Sequence, residues 1–229
     1  MHTNYSDSRG SVADVLRFAR LKGLDGLAIT DHHTVRGAEE AARVSDDLLI
    51  IRGEEIVTNG GEILALGIEE RIPKNLKTEE AIHRVHAQGG LVIVPHPTVP
   101  WFGRLRESDL MRLRVDGLEV FSSITPLTRY FTKRNLEIAR RIGLPALAGS
   151  DSHFAETVGD AYTLVDTETI SAEGVIQAVR EGRIGIGCRP SALRFKIRML
   201  NPTPAIRAWR MSCGFYPSDG RSPSQRTRV

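Results

Sequence analysis

Apolar residues in this chain recur at two alternating periods. Val12, Val15, Leu16 and Ala19 repeat at helical spacing over 11–22, with Ser11 as N-cap and Gly23 as the stop. The run 26–30 is short and apolar and predicts a buried strand. Thr34 begins a second helix reaching about Ser45, and 48–51 is the next strand. Residues 62–67 predict a third strand, and Thr78 opens a helix that stops near Gly89-Gly90. Leu91-Val92-Ile93-Val94 is apolar throughout, the pattern of a strand covered on both faces. A loop over 101–106, a short helix over 107–113 and a strand over 117–121 follow. A helix over 127–142, strands over 145–148 and 161–165, and a helix over 172–181 complete the pattern.

Short strands alternating with helices predict an α/β fold built from parallel βα units. Seven strands between residues 26 and 165 suit a closed or nearly closed barrel; the count alone leaves a doubly wound sheet open. Nothing divides this body, which is taken as one domain over 1–198. Beyond it the pattern fails. Pro202, Pro204, Pro217 and Pro223 fall among Ser, Gly and Arg, so 199–229 is expected to be a disordered tail. A sharper reading makes it a nucleic-acid arm, with Trp209, Phe215 and Tyr216 stacking on bases.

Charge changes this picture little. The chain has 229 residues, 31 Lys and Arg against 28 Asp and Glu. From Arg183 on there are ten basic residues and one acid, which leaves 21 basic and 27 acidic residues before it. The body is therefore acidic and only the tail is basic, so the net +3 does not mark a nucleic-acid binder. No apolar run approaches the ~20 residues of a membrane span. The opening residues lack the apolar core of a signal peptide, and a cytoplasmic location is the expectation, with no membrane partner. Cys188 and Cys213 lack the spacing of a disulfide framework or a zinc knuckle.

The candidate chemistry is positional. His32 follows the strand at 26–30, Glu54 and Glu55 follow 48–51, His96 follows 91–94, and Asp151 and His153 follow 145–148. In parallel barrels the C-terminal strand ends converge on one face. His2 and Asp7 stand ready at the start of the chain. Imidazoles with carboxylates suit Zn, Mn or Fe, and no Ser, Cys or Lys stands out as a nucleophile. His83 and His86 lie within a helix and read as surface residues.

His2-Thr3-x-x-Ser6-Asp7, Thr30-Asp31-His32, Gly53-x-Glu55-Ile56, Pro95-His96 and Gly149-Ser150-Asp151-x-His153 together resemble the motifs of the PHP (polymerase and histidinol phosphatase) family. The resemblance covers roughly residues 1–190. It implies a distorted seven-stranded TIM-like (βα) barrel carrying two or three divalent ions, Mn, Zn or Fe, at its strand ends. It implies His2, Asp7, His32, Glu55, His96, Asp151 and His153 as ligands. Glu55 would bridge two ions, and Glu119 matches a position where the family often supplies another ligand. Asp151 doubles as the proton acceptor. His33, Arg104 and Arg106 are candidates for gripping the substrate, and Asp31 reads as a turn residue. Related small members carry a His near position 64, where this chain has Leu64.

The resemblance also places a further His two positions before His2, and a first strand leading to it, both upstream of Met1. A first strand missing or truncated in this way would weaken the first metal site. The expected function is hydrolysis of a small phosphorylated metabolite or a nucleotide by metal-activated hydroxide. A nuclease or nucleic-acid-processing PHP subunit using the basic tail is the alternative. A non-catalytic PHP-like module, given the incomplete first motif, is the second.

Overall fold

The computed structural model describes residues 1–99, 105–125, 128–188, 191–192, 195 and 227–228. Six strands form one curled sheet: β1 (Gly26–Ile29), β2 (Leu49–Val57), β3 (Glu62–Leu66), β4 (Leu91–Val94), β5 (Gly117–Ser122) and β6 (Ala146–Gly149), hydrogen-bonded in that order. The architecture is an α/β half-barrel. The seventh expected strand, β7 (Ala161–Val165), does not join this ladder. It pairs antiparallel with β8 (Ile184–Cys188) and with β9 (Thr227–Arg228) in a second sheet. Thr163 still links the two sheets, because its Oγ1 accepts from the Ala148 N–H at 3.1 Å and donates to the Ala148 carbonyl at 3.0 Å.

The expected parallel pattern fails at one strand. β3 runs antiparallel to both β2 and β4. Only the turn 58–61 separates β2 from β3, and parallel neighbours need a crossover of a dozen or more residues. That turn is clamped by buried Thr58, whose hydroxyl donates to the Gly61 carbonyl at 2.6 Å. The remaining pairs, β1 with β2, β4 with β5 and β5 with β6, are parallel.

The helices α1 (Val12–Leu21), α2 (Arg36–Val44), α3 (Thr78–Ala87), α4 (Glu107–Arg112), α5 (Thr128–Ile142) and α6 (Ala172–Arg180) fall where apolar periodicity puts them. Ser11 caps α1 through a reciprocal pair with Asp14. Val35 takes the N-cap position of α2 and makes no side-chain bond, while the Thr34 hydroxyl one residue earlier accepts from the Arg36 N–H at 3.3 Å. The α1 face of Val12, Val15, Leu16 and Ala19 packs with Ala38 and Ala41 of α2 and with Leu27 and Ile29 of β1. Val175, Ala178 and Val179 of α6 cluster with Ile51, Leu91 and Ile93. Inside the curl a cavity of about 120 Å³ is lined by Leu27, Ile51, Leu64, Leu91, Ile93 and Leu147 and reaches Glu119 and Asp151. Among the described residues no helix is long and apolar enough to cross a membrane. Of the expected tail, only Thr227 and Arg228 are described; the aromatics Trp209, Phe215 and Tyr216 lie outside the described residues.

The first residues are threaded between the two ends of the sheet. The Thr30 N–H donates to the Met1 carbonyl at 2.8 Å, and the His2 N–H donates to the Ser152 carbonyl at 3.0 Å. Asp31 is fully buried. It accepts from the Thr3 N–H at 2.7 Å, the Thr3 hydroxyl at 2.7 Å and the Ser6 hydroxyl at 2.6 Å. It is thus the anchor of the opening motif rather than a turn residue. Gly37, in the first turn of α2, leaves room for this clasp: a Cβ there would sit 2.1 Å from Asp31 Oδ2 and 2.6 Å from Thr3 Oγ1.

Gly to Ala within a helix ordinarily stabilises by about 1 kcal/mol. Here the opposite sign is expected. Gly37→Ala should lower stability by about 1–3 kcal/mol in urea unfolding, because three satisfied hydrogen bonds must shift. A gain in stability would show that the clasp yields cheaply.

Candidate metal centre

The ends of β1, β2, β4 and β6 deliver their side chains to the same place as the opening motif. The β1/β2 ladder continues past the end of β1, and Glu54 and Glu55, expected just beyond a strand ending at 51, lie within β2 because that strand runs on to Val57 to pair with β3. His32 bridges Glu55 in parallel, the Glu55 N–H donates to the Asp31 carbonyl at 3.2 Å, and the His33 N–H donates to the Glu55 carbonyl at 3.1 Å. Backbone pairing therefore sets the spacing of His32 and Glu55 before any side chain acts.

His2 lies at the centre and is fully buried. Its Nε2 is 2.6 Å from Asp151 Oδ1 and 3.1 Å from Glu55 Oε2, and its Nδ1 is 3.5 Å from Asp7 Oδ1. The His153 ring stacks on it at 4.3 Å, and the His32 ring lies at 4.6 Å. Asp7 Oδ2 is 3.1 Å from His153 Nε2 and 3.7 Å from His32 Nε2. The other oxygen of Glu55, Oε1, is 3.6 Å from His96 Nε2. Donor atoms thus fall into three overlapping sets, each within 4.8 Å: His2, Asp7, His32 and His153; His2, Glu55 and Asp151; Glu55, Glu62 and His96. His2 belongs to the first two sets and Glu55 to the last two.

Electrostatics prepares this donor set. Burial works to raise the Asp7 carboxyl, but the hydrogen bond and charge of His153, with the charges of His2 and His32, hold it well below the usual carboxylate range. Burial pushes His32 and His153 below the ordinary histidine value, and the neighbouring His2 adds to the shift. Both imidazoles are driven toward the neutral form that ligates metals. Backbone strain gathers here as well. Among the described residues four non-glycine residues have positive φ, and three are His33 (56°), His96 (32°) and Asp151 (38°). Such conformations cost of order 1–3 kcal/mol each and collect where function requires them.

The other candidates take different places. Glu119 is buried, and its Oε2 accepts from the His96 N–H at 3.1 Å. It belongs to none of the three sets and braces the backbone that carries His96. Glu54 turns away from Glu55, as alternation along a strand demands, and accepts from the Ile72 N–H. His33 sits beside the centre, with burial first and then the charges of His32, Lys74 and Arg71 lowering its pKa. Arg106 is exposed at the start of α4, where its N–H donates to Asp109 Oδ2 at 2.9 Å. Arg104 lies outside the described residues. His86 is no loose surface residue: its Nε2 lies 2.8 Å from Asp116 Oδ2.

Sequence reasoning misreads one residue at this face and misses another. Asp31 stands just past β1 but looks like an ordinary turn acid. Glu62 opens β3, and an antiparallel strand brings its first residue, not its last, to the site. The signal was present in Thr58-Asn59-Gly60-Gly61, a four-residue glycine turn between apolar runs, which marks a hairpin.

Comparison with known proteins agrees with this geometry. A family model described as PHP-associated matches residues 131–184, a stretch that includes Asp151 and His153. The uncharacterised protein MJ1587 of Methanocaldococcus jannaschii is 38% identical over 136 residues, covering 54% of this chain and 79% of that protein. The chain belongs to the PHP family. A two-domain Bacteroides vulgatus protein containing a predicted PHP-like metal-dependent phosphoesterase shares the fold. Its TM-score is 0.71 at 18% identity, over 82% of this chain and 63% of that one. The lesion-specific endonuclease PfuEndoQ of Pyrococcus furiosus does so at TM-score 0.60 and 14% identity, over 79% of this chain and 54% of that one. This PHP chain therefore spans less than two thirds of either solved neighbour.

Glu54 gives a test independent of any ligand. Burial raises its carboxyl from 4.5 to about 7, against the Ile72 N–H and Arg71. The folded chain keeps this proton where the unfolded chain has released it, so stability falls as pH rises from about 4.5 to about 7, by up to about 3 kcal/mol. In chelator-containing buffer, Glu54→Gln should raise the melting temperature at pH 8 and leave it nearly unchanged at pH 4.5. An equal shift at both pH values would contradict the assignment.

Proposed function

We propose that this PHP chain is a metal-dependent hydrolase that cleaves the phosphoester of a small metabolite or nucleotide. The observation that carries the reading is the pairing of His153 with Asp7. The Asp151 carbonyl can only accept, so the His153 Nδ1 that lies 3.0 Å from it bears the ring proton. Its Nε2 faces Asp7 Oδ2, 3.1 Å away. A proton on Nε2 or a metal ion can join the two; burial of His153 disfavours the proton while Asp7 and Glu55 favour it, and the same two atoms belong to a four-residue donor set. The donor set therefore fits divalent metal. His2, Asp7, His32 and His153 would hold one ion, and Glu55, with Asp151 and His96, would hold its neighbours. Two or three ions of Mn, Zn or Fe suit this mixture of imidazole and carboxylate.

Bound there, such ions would polarise a phosphoryl oxygen and acidify water. The chain's own residues do the rest. Glu55, with one oxygen toward His2 and the other toward His96, fixes the spacing of the two halves of the site. Asp151, buried and held in a left-handed backbone conformation, takes the proton of the attacking water. His2 Nε2, 2.6 Å from Asp151 Oδ1, orients that carboxylate. Asp7 and His32 are only partly buried and form the side of the cluster that solvent and substrate reach. His33, whose ring lies 6.1 Å from that of His32, would meet the leaving group or the phosphate.

With Mn²⁺ added, the chain should hydrolyse p-nitrophenyl phosphate or nucleoside monophosphates. Asp151→Asn should lower kcat by about 10²–10⁴-fold, the usual reach of a positioned proton acceptor. Equal turnover by the two proteins would overturn the reading.

A further inference from the structure

We propose that Glu62 is a protein ligand of the ion position shared by Glu55 and His96, supplied by the one antiparallel strand of the sheet. The inference rests on the metal reading above and assigns a donor that the PHP resemblance does not provide. Glu62 Oε2 lies 3.9 Å from His96 Nε2, and Glu55 Oε1 lies 3.6 Å from the same nitrogen. Both separations exceed the ~3.2 Å limit of an ordinary N–H···O bond. They approach the spacing of groups that share an ion: ligands ~2.1 Å from a metal lie about 3.0–3.4 Å apart in octahedral or tetrahedral arrangement. A contraction of a few tenths of an ångström completes the geometry.

The sheet fixes this placement. Glu55 is paired with Leu64, and Val57 with Glu62. Directly opposed residues share a face and so do residues two apart, so Glu55, Leu64 and Glu62 all present to the same side. Leu64 lines the apolar cavity and offers no donor. Glu62, one step nearer the strand start, reaches His96 instead. The preceding turn is rigid: Thr58 Oγ1 lies 2.8 Å from Thr78 Oγ1 on α3, and the Gly61 N–H donates to the same Thr58 oxygen at 3.2 Å. Gly61 has φ 149°, a conformation that side-chain-bearing residues rarely adopt. The side chains of Glu55 and His96 are each 2% exposed, whereas that of Glu62 is 20% exposed. Glu62 is thus the solvent-side ligand of this position, the one nearest an incoming phosphate.

The test is metal stoichiometry and affinity, not turnover. The wild type, Glu62→Gln, Glu62→Asp and the exposed control Glu69→Gln would be titrated with Mn²⁺ by calorimetry. Their bound metal would then be counted by mass spectrometry after gel filtration. Glu62→Gln should lose one equivalent, or bind one ion at least about tenfold more weakly, with the remaining ions unaffected. Glu62→Asp, which keeps the charge on a shorter arm, should fall between it and the wild type, and Glu69→Gln should match the wild type. Full stoichiometry and affinity in Glu62→Gln would overturn this inference and leave the metal reading standing. A wild type that binds no Mn²⁺ would overturn both.

Discussion

The buried carboxylate of Asp31 is the contact on which the site depends. Three donors from Thr3 and Ser6 converge on it, and each charge-assisted bond is worth more than a neutral one. The clasp pins the opening motif to the end of β1. The backbone bonds of Met1 to Thr30 and of His2 to Ser152 then carry the same segment across to the end of β6. His2 can be central only because the chain is held on both sides of it. Gly37 is the steric condition for that hold, so a helix residue that contributes no donor governs the position of the central histidine.

The cluster crowds acids and imidazoles where water is largely excluded. Buried charge costs several kcal/mol per ion unless opposite charge is close. In this chain the acids and histidines alternate through space: Asp7 between His153 and His32, Glu55 between His2 and His96, Asp151 beside His2. That order suits cations placed between the donors. The strained backbones of His96 and Asp151 are held separately: Glu119 accepts from the His96 N–H, and His153 Nδ1 lies 3.0 Å from the Asp151 carbonyl.

Much of this was legible in sequence because two simple periods control it. Apolar spacing located α1, α2, α3 and the strand cores, and the motif residues past those strands do meet at one face. Three features were not legible, each for a physical reason. β3 is antiparallel because a four-residue turn cannot make a crossover, and strand-end logic then looks at the wrong end of β3 and misses Glu62. β7 leaves the main sheet for β8 and β9, a choice made by tertiary pairing that local propensity does not encode. Asp31 looks like any turn acid until its donors from Thr3 and Ser6 come together in space.

The most direct test is where divalent ions sit in the folded chain. Crystals grown with Mn²⁺ and measured at the manganese absorption edge would locate each ion by its anomalous signal. The account predicts peaks within the cluster, one bounded by Asp7, His32 and His153 and another reached by Glu55 and His96. Crystals saturated with Mn²⁺ that show no peak among these residues would contradict it.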